Sequence, residues 1–165
     1  MKYIIRLLLI AFFALSVAAC DKTSSAPAAV EQAPLVAPTN EDPGAWRDYV
    51  SNTVKRNMQG VSSAPFVYLL PAESTQDFQG SYDRLLEKAK SDVDRGILPG
   101  NLLAFSSASL SSAKAADLVI AAFTDVKPDK LKGVKLLFIG KPADNERVKA
   151  AVQASGVDYI FVETK

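Results

Sequence analysis

Hydrophobic and polar positions change their spacing several times along the chain, and each change marks an element. After a short basic start, Leu7–Leu15 (LLLIAFFAL) is a nine-residue apolar run without a polar interruption. From Ala45 to Gln59 the apolar residues Trp46, Val50, Val54 and Met58 recur at every fourth position. That spacing predicts a helix with one apolar stripe, ended by Gly60. Short runs rich in β-branched, aromatic and leucine side chains follow: Phe66–Leu70, Leu102–Phe105, Val134–Ile139 and Tyr159–Val162. Continuous apolar runs of this length fit strands covered on both faces.

Between the strands the spacing turns helical. Tyr82, Leu85, Leu86, Ala89 and Val93 share one face of a helix expected over 79–96, with Gly96 as terminator. Ser74 and Asp77 stand at capping-box spacing just ahead of it. A second helix, expected over 112–124, is apolar almost all round and should be the most buried. A third should run from Asp144, a good N-cap, to Ser155, with Val148, Ala151 and Val152 inward and Gly156 at its end.

The string α-βαβαβαβ predicts a small three-layer α/β domain with a four-stranded parallel sheet and right-handed crossovers. The strand order 2-1-3-4 is favoured, because the first and third strands are the most uniformly apolar. In that order the 79–96 helix lies alone on one face, and the Trp46 stripe covers the rest of that face. The pattern resembles a flavodoxin-like or Rossmann-like half domain, an architecture that hosts many unrelated functions.

Composition divides the chain further. Residues Asp21–Pro43 hold four prolines, no glycine and no aromatic residue among many Ala, Ser and Thr. Such a stretch buries too little apolar surface to offset its ordering entropy, so 20–43 is expected to be a disordered tether. As a coil its 23 residues would reach roughly 25–30 Å. From Gly44 to Lys165 the composition is that of one folded domain, and 48% hydrophobic content in 165 residues suffices for an ordinary core.

The N-terminus carries the most specific motif. Lys2 and Arg6 precede the apolar run, which is too short for the ~20 residues that a spanning helix needs and ends in small residues. Val17-Ala18-Ala19-Cys20 resembles the signal peptidase II type lipobox of bacterial lipoproteins, and the resemblance covers the first 20 residues. It implies that 1–19 is a signal peptide, that diacylglycerol joins the Cys20 sulfur, and that a palmitate-like chain acylates its new amino group. Each buried methylene then contributes about 0.8 kcal/mol to a membrane lipid anchor, and two or three chains hold stably. The resemblance thus implies a cell-envelope protein facing the periplasm. Asp21 resembles the inner-membrane retention signal of enterobacterial lipoproteins and favours that membrane, with the outer membrane as the alternative.

Charge and residue usage exclude several classes. Removing 1–19 takes away two bases and no acid, so 19 basic against 18 acidic residues become 17 against 18, net −1. Within 44–165 there are 16 basic and 14 acidic residues, net +2, too weak for nucleic acid. No histidine and one cysteine exclude His-dependent triads, His-ligated zinc, cysteine-rich metal sites and an intrachain disulfide. No cofactor is expected, since Pro71–Asp77 after the first strand lacks the glycines of a dinucleotide or phosphate loop. Lys127–Lys135 holds four lysines but no aromatic residue, and reads as a solvated connection.

In open α/β sheets ligands bind beyond the carboxyl ends of the strands, near a reversal of strand order. There Ser106, Ser107, Ser109, Ser111 and Ser112 surround a helix start, where free N–H groups favour an anion, and Lys141 follows the third strand. Ser106, Ser107, Ser109 and Lys141 are the candidate ligand-binding set. The competing explanation is that serines cap helices and populate loops for local reasons. Glu73 and Asp77 could pair as catalytic carboxylates, but sit where capping and dipole compensation also place acids. No catalytic set emerges and no metal ligands are assigned, so the balance leans away from an enzyme. The expectation is a lipid-anchored, non-catalytic module that binds an envelope protein, as an accessory subunit or an immunity-type inhibitor. The alternatives are a small anionic or polar ligand domain and, third, a histidine-free hydrolase.

Overall fold

A computed structural model of the chain describes residues 33–165. The apolar run Leu7–Leu15, the lipobox and residues 21–32 lie outside the described residues. Four helices and four strands alternate: α1 (Pro43–Arg56), β1 (Phe66–Leu70), α2 (Phe78–Arg95), β2 (Leu102–Ser107), α3 (Ala113–Phe123), β3 (Lys135–Gly140), α4 (Pro142–Val152) and β4 (Asp158–Glu163). A 3₁₀ turn, Gln153–Ser155, extends α4. Among the described residues no helix is long and apolar enough to cross a membrane.

The α/β class and the parallel sheet are as expected, but the strand order is β1-β2-β3-β4, not 2-1-3-4. Ranking strands by apolar residues alone ends the second at Phe105 and moves it to the edge. In the structure β2 continues through Ser106 and Ser107, and all six of its residues are buried. The Ser106 hydroxyl donates to the Ile139 carbonyl at 3.1 Å and that of Ser107 to the Ser111 carbonyl at 2.8 Å. Serines satisfied in this way can occupy a central strand at little cost. β1 is left at the edge, where Val67 is 44% exposed.

This order determines which face each helix covers. Successive right-handed crossovers in one direction put α2, α3 and α4 together on one side of the sheet. They bury Tyr68, Leu70, Leu103, Phe105, Leu136 and Phe138, with Tyr68 stacked on Phe105 at 4.5 Å between ring centres. The 79–96 helix therefore does not lie alone. Instead α1 is the one helix among the described residues on the opposite face, packing Trp46, Tyr49, Val50 and Val54 on Leu102, Ala104, Leu137 and Ile139. The Trp46 stripe thus covers the face opposite the one expected.

One helix about 10 Å across cannot cover four strands spaced about 4.8 Å apart. Part of the remainder is covered by the segment before α1. The compact unit begins at Ala33 rather than Gly44, and Ala37 is buried in the α1 core at 7% exposure. The Trp46 indole N–H donates to the Asn40 carbonyl at 2.7 Å, tying that segment to the helix.

Helix starts also differ from the sequence expectation. Asp42 caps α1 by accepting from the Ala45 N–H at 2.6 Å, with Pro43 in the first turn. α1 ends at Arg56, so Met58 lies beyond it in the following turn. The Ser74/Asp77 capping box does not form: Asp77 stands before α2 in a left-handed conformation, φ 58°, without a side-chain cap bond. Its carboxylate meets Arg84 at 3.2 Å, and Gly80 leaves room for it, since a Cβ there would lie 2.5 Å from the carboxylate. α4 starts at Pro142, so Asp144 lies inside its first turn rather than at the cap.

Candidate functional site

The candidate ligand set lies at the carboxyl ends of the second and third strands. With order 1-2-3-4 the sheet has no reversal of direction, so it lacks the crevice that a reversal opens. The β2–α3 and β3–α4 loops are nonetheless neighbours, because β2 pairs with β3 in parallel.

Each hydroxyl and amine of the set has a protein partner. Ser106 and Ser107 donate to backbone carbonyls as described above. Ser109 donates to the Glu41 carboxylate at 3.2 Å, and the same carboxylate accepts from Ser74 at 2.5 Å. Ser112 accepts from the Lys141 backbone N–H at 2.8 Å and donates to Asp144. The Lys141 ammonium turns away from the serines and donates to the Thr164 carbonyl at 2.7 Å. The loop therefore binds two of the protein's own carboxylates, Glu41 through Ser109 and Asp144 through Ser112.

Beneath the loop a charged network joins α3 to α4. The Arg147 guanidinium meets Asp144 at 2.9 Å and Asp117 at 2.6 Å, and donates to the Ala113 carbonyl at 2.8 Å. The hydrogen bond to Asp117 leads the effects that raise its pKa; burial opposes them and Asp144 adds to them. Arg147 thus remains charged and holds the start of α3 against α4. Gly140 is needed for close approach here, since a Cβ would lie 2.7 Å from the Ser112 Cβ. These contacts give the Ser112 region a structural role.

The other candidates are also placed. Asp77 turns to Arg84, and Glu73 is exposed. In the basic stretch, Lys130 donates to the Asp94 carbonyl at 2.8 Å and Lys135 to the Gln59 carbonyl, while Lys127 and Lys132 stand exposed. On the face covered by α2, α3 and α4, Asp92 accepts from Tyr68 at 2.8 Å and Lys88 at 2.7 Å. Burial pushes its carboxyl up, but these two bonds and the charges of Lys88 and Arg95 outweigh it, so its pKa is lowered overall.

Two concave surfaces lie elsewhere, one on each flank of α1. One groove of about 380 Å³ runs between α1 and the edge strand β1, with Val50, Val54, Met58, Val67 and Leu69 among its walls and Arg47 and Lys55 at its rim. The other, about 360 Å³, lies towards β4, where Pro34–Ala37 pass Tyr49, Thr53 and Val162. Both follow from covering a four-stranded face with one helix. Periodicity reads the whole α1 stripe, Met58 included, as core, because spacing alone carries the helix on to Gly60, whereas α1 ends at Arg56 and leaves Met58 on the groove wall. Compared with protein-family models, curated proteins and solved structures, the chain has no match.

Proposed function

We propose that the chain is a lipid-anchored, periplasm-facing envelope lipoprotein whose α/β domain binds another protein without catalysing a reaction. The anchor rests on Val17-Ala18-Ala19-Cys20 directly after the apolar run. The binding role rests on one observation, the apolar groove between α1 and the open edge strand β1. Concave, mainly apolar surface that the domain does not fill favours recognition over further core.

Twelve residues, Asp21 to Gln32, separate Cys20 from the first described residue. Fully extended they span at most about 40 Å, so an anchored domain works close to the bilayer. Two measurements test the reading. An alkyne fatty acid fed to cells should label the full-length protein and not its Cys20→Ala form. Mild detergent extraction of native membranes followed by crosslinking should yield a 1:1 complex; a domain that stays alone under those conditions contradicts the binding role.

A second reading, a small anionic-ligand domain, is favoured by the carboxylate of Glu41 held between Ser74 and Ser109. A ligand carboxylate would have to displace it. Acetate or succinate should then raise the thermal midpoint of Glu41→Gln more than that of the parent. Equal response of the two proteins removes this reading.

A further inference from the structure

We infer that the β1 edge is a docking site for an extended acidic segment of the partner, which adds as a fifth strand; this rests on the protein-binding role proposed above. The backbone argument starts from register. Among the described residues β1 pairs only with β2, in parallel, and the Leu70 carbonyl accepts from the Ala108 N–H at 2.7 Å. Backbone groups alternate in direction along a strand, so Phe66, Tyr68 and Leu70 bond inward while Val67 and Leu69 point their N–H and C=O groups outward. Among the described residues nothing accepts from or donates to those outward groups.

Edge strands are usually protected by charge, proline or a bulge. The opposite edge, β4, carries Asp158 and Glu163 at its ends. β1 is Phe-Val-Tyr-Leu-Leu, with no charge and no proline inside it.

Side-chain space exists on both sides of the edge. An added strand directs alternate residues to opposite faces of the sheet. One set would enter the apolar groove against Val54, Met58 and Val67. The other would enter a third groove of about 330 Å³ on the α2 side, walled by Pro71, Ser81 and Leu85. The rims are basic on both faces, with Arg47 and Lys55 on α1 and Arg84 and Lys88 on α2. Arg84 and Lys88 already meet Asp77 and Asp92, whereas Arg47 and Lys55 form no ion pair among the described residues. Apolar residues flanked by Asp or Glu would therefore complement the edge. A second copy would not, because pairing β1 with β1 brings the same basic rims together.

The test uses the full-length protein and two synthetic heptapeptides with three central valines, flanked on each side by Glu and Asp in one and by two lysines in the other. Fluorescence anisotropy at low salt should show the acidic peptide binding at least tenfold more tightly than the basic one. The exposed double substitution Arg47→Glu plus Lys55→Glu should reduce that preference at least tenfold at an unchanged thermal midpoint. Val67→Glu, on the exposed edge, should weaken the acidic peptide by a similar factor. Equal binding of the two peptides, no binding, or indifference to these substitutions overturns the inference. In cells, a photo-reactive amino acid replacing Val67 should capture the partner, and one replacing the exposed Ala143 should not. Capture from 143 alone overturns the edge site but leaves the binding role standing. Capture from neither contradicts both. A homodimer captured from 67 overturns the acidic partner.

Discussion

Replacing Ser112 by alanine separates a structural loop from a ligand loop, because its hydroxyl serves two groups at once. It accepts from the Lys141 N–H at 2.8 Å and donates to the Asp144 carboxylate. Ser112 is 4% exposed and Asp144 9%, so water replaces neither bond readily. Alanine keeps the Cβ that packs on Gly140, so the change removes hydrogen bonds and little volume. An unsatisfied buried donor costs about 1–3 kcal/mol. The carboxylate keeps Arg147 at 2.9 Å, which limits the loss on its side. The net expectation is a loss of about 2 kcal/mol, or roughly 6–10 °C in midpoint for a domain of this size. Urea unfolding followed by Trp46 fluorescence reads it directly. Ser109→Ala is the comparison: its partner Glu41 is exposed, so its cost should stay within about 0.5 kcal/mol. A Ser112→Ala protein as stable as its parent, or a costlier Ser109→Ala, refutes the assignment of this loop to structure.

Further outcomes follow from the same contacts. Asp92 has a lowered pKa in the folded chain, so its stabilisation is complete above the ordinary carboxylate range and is lost as pH falls through the lowered value. Lys88→Met removes a 2.7 Å bond and a charge that depress it; acid unfolding should then begin at higher pH than in the parent, and an unchanged acid limb contradicts the account. Ala37→Asp puts an unpaired carboxylate into the α1 core and should cost about 2 kcal/mol or more by urea unfolding; Val36→Asp, at a position 80% exposed, should be neutral. Equal effects would detach the 33–42 segment from the fold.

The sequence reveals most of the elements and less of their arrangement. The run Phe66–Leu70 appears at its observed bounds and the other three strands within two residues of theirs, because β-branched and aromatic density is a local property. Strand order depends on which strand tolerates burial on both faces, and Ser106 and Ser107 conceal this. A buried hydroxyl bonded to a neighbouring carbonyl has the composition of a loop and the energetics of core. The same concealment misplaces the start of the domain. Leu35-Val36-Ala37 sits among prolines like any linker, and only the uncovered flank of α1 gives Ala37 somewhere to pack.

The serine-rich loop was legible as a cluster but not in its direction. Spacing places Ser109, Ser112 and Lys141 near one another, yet says nothing of Glu41 or Asp144 accepting their hydroxyl protons, or of Thr164 taking the ammonium. The edge groove was invisible for a related reason. It arises from the mismatch between one helix and four strands, and no single run of residues encodes it.

Crosslinking the full-length protein in cells, with Cys20→Ala as the unanchored control, tests the central claim most directly. The account predicts that one envelope protein is captured in a 1:1 complex by the anchored form and lost or strongly reduced with the control. The absence of any specific partner with either form would contradict it.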